Sequence, residues 1–237
     1  MSLFYNRMKL PLKLLSLVLG FSAVNALAIP ALQLDISGGV YDTVDETTFA
    51  TSPVFTLRAL LRDNQPFNNP YYISAAISPQ LAELPIPDIG SFTFAGTTYT
   101  GAALHWGTPP SNVPDNQPGD LAPHSVFPTY YFEYAFDFTG APVMAAYNTA
   151  TGATANGQVY YRDFTVDITQ LLPGYSVHFD LYDERVRRGT YTVDDFAPFS
   201  HDASSGTNTR VPDSGSSLIL VGLAAALMLG ARRMRLA

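Results

Sequence analysis

The densest set of residues able to do chemistry lies between Asp180 and Asp202. Asp180, Asp183 and Glu184 are followed by Asp194, Asp195 and Asp202. Carboxylates that converge from a strand end and the loop after it can supply the six to eight oxygens that a calcium ion takes. Asp180, Asp183, Asp194, Asp195 and Asp202 are therefore the candidate calcium ligands. The spacing is not that of an EF-hand loop. Arg185, Arg187 and Arg188 interrupt the acids, so an ion-paired, solvated edge is the competing reading.

Other chemistries find less support. No Gly-x-Ser-x-Gly elbow and no His-Glu-x-x-His pair is present, and the chain has no cysteine. His105, His124, His178 and His201 are dispersed. His178, between Ser176 and Asp180, reads as a solvated residue on the outer side of a strand. Paired carboxylates run glycoside hydrolysis, but among 20 acids such pairs arise by chance. Trp106, next to His105 and followed by His124, Tyr130 and Tyr131, could stack on a sugar ring. Trp106 and His124 are thus the candidate ligand-binding residues. The chain reads as a non-enzyme, and a secreted hydrolase with a loop-built site is the weaker alternative.

The elements that must position these residues are strands. Thr, Tyr, Phe and Val are abundant, Lys and Glu are scarce, and prolines punctuate the chain. Alternation of period two places strands around Leu32–Ile36, Phe55–Leu61, Tyr71–Ile77, Ser91–Thr100, Tyr160–Ile168 and Tyr175–Tyr182, with a last short one at Thr190–Val193. The clearest face is Phe132, Tyr134, Phe136 and Phe138. Turn-forming stretches separate them at Asn64–Pro70, Pro85–Gly90, Thr108–Pro123, Ala150–Gly157 and Pro173–Gly174, and Ile168–Leu172 is the best short helix candidate. The expected fold is all-β, a single antiparallel β-sandwich, with a jelly roll as the alternative. The proline-rich Thr108–His124 segment is either a functional loop or a surface crossover between sheets.

Both ends carry addresses. Arg7, Lys9 and Lys13 precede an apolar stretch from Leu14 to Val24, and Ala26-Leu27-Ala28 offers an A-x-A cleavage site. Residues 1–28 read as a signal peptide, with cleavage set by Ala26 and Ala28. At the other end, Val211-Pro212-Asp213-Ser214-Gly215 precedes the uncharged run Leu218–Ala231, and Arg232, Arg233 and Arg235 follow. Counted from Ser216, the run gives roughly 24 Å of helix, slightly less than a bilayer core. The flanking arginines orient it with the rest of the chain outside the cytoplasm. Residues 29–210 form the expected single domain. Between Lys13 and Arg232 the chain holds seven arginines, no lysine and 20 acids. A surface this acidic argues against nucleic-acid binding and suits an extracellular protein that stays soluble through self-repulsion or binds cations.

The tail resembles the VPDSG-type C-terminal sorting signals of Gram-negative bacteria, relatives of the PEP-type signals read and cut by exosortases. That resemblance implies an exosortase-like processing enzyme as partner, passage through the inner membrane, and a final location at the cell surface or in the matrix. A second resemblance rests on Leu32–Ile36, Gly39-Val40-Tyr41-Asp42, Ala122-Pro123-His124 and Asp194–Asp202. These segments look like the bacterial choice-of-anchor N surface proteins, which implies an extracellular domain and assigns no activity. The expected role is structural or adhesive, with binding of matrix polysaccharide as the alternative.

Overall fold

The computed structural model describes residues 29–113, 121, 126–187 and 189–206. Ala26, Ala28, His124, Val211–Gly215, Arg232, Arg233 and Arg235 lie outside them, as do the rest of the expected signal peptide and the apolar run of the tail. Among the described residues no helix is long and apolar enough to cross a membrane.

The chain is all-β and builds two sheets. One has six strands: β1 (Leu32–Ile36), β4 (Val54–Arg62), β11 (Thr154–Asp167), β6 (Ser91–Phe94) and β7 (Thr97–Thr100) in that spatial order, with β10 (Val143–Tyr147) also paired to β11. The other has eight: β2 (Val40–Asp42), β3 (Thr47–Phe49), β14 (Asp202–Ser204), β12 (Ser176–Arg187), β5 (Tyr71–Ser78), β9 (Thr129–Phe136) and β8 (His105–Gly107), with β13 (Thr190–Phe196) also paired to β12. Every pairing is antiparallel except that of β14 with β3. The first corner between sheets falls at Ser37–Gly39. Gly38 has φ +74°, and a Cβ on Gly39 would lie 2.9 Å from the Phe49 carbonyl oxygen, so both positions require glycine.

The core lies between the sheets, as period-two alternation demands. Leu32, Leu34 and Ile36 of β1 and Leu57, Ala59 and Leu61 of β4 meet Ile73, Ala75 and Ile77 of β5 and Val177, Phe179 and Leu181 of β12. Phe94 is fully buried at its centre, with ring centroids 5.4 Å from Phe132, 5.5 Å from Phe164 and 6.2 Å from Phe179. The expected aromatic face of Phe132, Tyr134, Phe136 and Phe138 does turn inward.

Several elements differ from expectation. The Ile168–Leu172 segment is not helical: it is a turn in which the Leu171 N–H donates to the Ile168 carbonyl, and Leu171 bridges Gly90. Strand β11 begins at Thr154, inside a stretch expected to be a turn, because Gly157, at φ +98°, is absorbed within the strand. The Thr108–His124 connection joins β8 and β9, neighbours in one sheet, and so does not cross between sheets. Its first residues fold over the outer face of the eight-stranded sheet. There the Ser111 N–H and hydroxyl donate to Glu133, and the Asn112 amide donates to Glu184 at 3.0 Å.

Candidate functional site

The acids from Asp180 to Asp202 do not form one site. They divide between the two faces of β12, because residues an odd number apart on a strand point to opposite sides. Val177, Phe179 and Leu181 face the core, and Asp183 continues that side. Ser176, His178, Asp180 and Tyr182 occupy the outer side.

The inner group is Asp183, Asp194 and Asp195, each offering a ligand-capable atom within 4.8 Å of the others. One guanidinium and one backbone N–H serve its three carboxylates. The Asp195 N–H donates to Asp183 Oδ1 at 2.7 Å. The Arg185 guanidinium lies 2.9 Å from an Asp194 oxygen and 3.6 Å from Asp183 Oδ2. Burial raises the Asp183 carboxyl above its ordinary value, while the Asp195 N–H and Arg185 pull it back. This arrangement fastens β13 to β12 across the bulge between Tyr182 and Glu184.

The outer group is His178, Asp180 and Asp202. Strand β14 lies beside β12 with Ser204 opposite His178, which brings Asp202 onto the same face. His178 Nε2 is 3.4 Å from Asp180 Oδ1 and 3.3 Å from Asp202 Oδ2. The Asp202 side chain is only 3 % exposed, and its Oδ1 is buried without a hydrogen-bond partner. The Ser74 hydroxyl of β5 donates to Asp180 Oδ2 at 2.9 Å. Burial favours neutral imidazole at His178, but Asp180 and Asp202 outweigh it and hold the group well above its ordinary value. His178 is therefore not the freely solvated residue expected from its strand position.

His178 also borders a recess of about 560 Å³ on this outer face, walled by Phe49, Phe127 and Phe199 and floored by Thr47 and Ser204. The expected aromatic cluster lies elsewhere. Tyr130 and Tyr131 are buried. The half-buried Trp106 packs against the core and donates its indole N–H to the Leu81 carbonyl at 3.1 Å. These three rings do not make an open stacking platform.

His178 was the residue that sequence reasoning missed. The His178-x-Asp180 spacing places both on one face of a strand, and that much was readable. Its second partner, Asp202, arrives only through the insertion of β14 between β3 and β12. No family model, curated protein or solved structure matches the chain.

Proposed function

We propose that the chain is an exported structural or adhesive protein of the cell surface or extracellular matrix, sorted and cut by an exosortase-like enzyme at Val211–Gly215. The observation that carries this reading is where the sheets end relative to the sorting motif. Strand β14 is an internal strand of the eight-stranded sheet, and Ser205 still binds β12, its N–H donating to the Val177 carbonyl at 2.8 Å. Among the described residues the last strand, β14, ends at Ser204, ahead of Val211, so cleavage at the motif would remove no described strand of either sheet. Likewise Ile29, the first residue after the A-x-A site, is buried against Leu60 and Val159 in a small second core. The resemblance of residues 32–36, 39–42, 122–124 and 194–202 to choice-of-anchor N proteins supports the same location.

Intact-mass analysis of the surface fraction tests the proposal. The expected species begins near Ile29 and ends within or just after Val211–Gly215. Recovery of a surface species still carrying Arg235 would contradict it. Pro212→Ala combined with Asp213→Ala should leave an uncut species in the inner membrane.

The recess beside His178 favours a second reading, a binding module for matrix polysaccharide. Its aromatic walls and hydroxyl floor combine apolar contact with a few placed polar groups, as small-ligand sites do. Glycan-array screening of the chain distinguishes the two: a saturable glycan signal lost on Phe127→Ala selects the module.

A further inference from the structure

We propose that His178, Asp180 and Asp202 form a binding site for a divalent transition-metal ion of the zinc class, open to the outer-face recess. The first argument is spacing. The N–O separations of 3.3 and 3.4 Å exceed the usual N–H···O range of about 2.7–3.2 Å. Tetrahedral ligands about 2.0–2.1 Å from zinc lie roughly 3.3–3.4 Å from one another. The two separations from His178 therefore match those of ligands around such an ion, at the long end of an ion pair.

The second argument is charge. A proton on His178 leaves two carboxylates facing one cation, and among the described residues the salt bridges of Asp180 and Asp202 run to His178 alone. A divalent ion bound to neutral imidazole balances both carboxylates, at a place where Asp202 is screened from water. The Asp202 carboxylate is the third argument: Thr47 neighbours it, yet its buried Oδ1 makes no hydrogen bond of good geometry, and such acceptors are rarely left without a partner. The outward-facing carboxylate is steadied by Ser74, an outer contact of the kind that orients metal ligands.

Imidazole decides the class of ion. Calcium prefers an all-oxygen shell of six to eight ligands, whereas one nitrogen and two carboxylates suit zinc and its neighbours. Three protein ligands leave a coordination position for water, and His178 borders the recess through which it would enter. This inference is independent of where the chain is sorted.

The test uses the full chain, stripped with chelator and dialysed in detergent against zinc alone, with bound metal counted by atomic absorption. One equivalent should be retained, and the thermal midpoint should rise with zinc concentration. His178→Gln and Asp180→Asn should each weaken zinc binding at least tenfold while melting cooperatively without metal. Asp195→Asn should bind zinc as the parent does. No uptake by the parent chain overturns the proposal. So does equal uptake by His178→Gln, or a rise in midpoint with calcium equal to that with zinc.

Discussion

The two faces of β12 carry the same kinds of acid and treat them differently. On the inner side Asp183 and Asp194 share the Arg185 guanidinium, a cation that cannot give up its proton. On the outer side Asp180 and Asp202 share His178, the one side chain whose charge ordinarily changes near neutral pH. The inner cluster is a fixed fastening between β12 and β13. The outer cluster has an exchangeable cation and stands beside a recess. An acidic cluster is thus characterised less by its carboxylates than by the residue that neutralises them.

The largest effect should come from the strand that carries both clusters. Phe179 is fully buried between them, 6.2 Å from both Phe55 and Phe94. Phe179→Ala should cost about 3–5 kcal/mol in denaturant unfolding and weaken the two clusters together. A loss below about 1 kcal/mol would mean that β12 turns its other face to the core.

A smaller effect separates the clusters. Arg185→Met leaves the buried Asp183 without its cation and should cost about 1–2 kcal/mol, since the guanidinium is 40 % exposed and partly screened by water. Zinc binding should be unaltered in this variant. Loss of zinc binding along with stability would show that the faces are not independent.

The smallest effect is read at alkaline pH. Tyr71 borders the inner cluster, and burial, then the charge of Asp183, raises its hydroxyl to about 12. A raised folded value means that the folded state keeps the proton longer. The associated stability is therefore complete below pH 10 and is lost as pH rises towards 12. Tyr71→Phe should flatten that part of the stability profile. An unchanged slope from pH 10 to 12 would show that Tyr71 does not carry the raised value.

Much of the architecture was legible because long strands declare their faces. The inward turn of Phe132, Tyr134, Phe136 and Phe138 and of Val177, Phe179 and Leu181 follows from alternation alone. The three-residue strands β2, β3, β8 and β14 are too short to show a period. Their place depends on long-range pairing, as when Asp202–Ser204 inserts beside Thr47–Phe49. The division of the acids was half legible. Asp180 and Asp183 stand an odd number apart and must face opposite ways, but which of them Asp202 joins was set by topology. The separation of Trp106 from an open aromatic surface was hidden for a similar reason, since its indole partner, Leu81, is 25 residues away.

The exchangeable cation is tested most directly by the nitrogen resonances of His178 in ¹⁵N-labelled chain at pH 7. Without metal both ring nitrogens should report protonated imidazolium, because Asp180 and Asp202 hold the charge there. On adding one equivalent of zinc, Nε2 alone should lose its proton and move to a metal-bound position, while the Arg185 side-chain signals stay in place. An imidazolium spectrum unchanged by zinc, or a zinc-induced shift at Arg185 in place of His178, would contradict the division of the two faces.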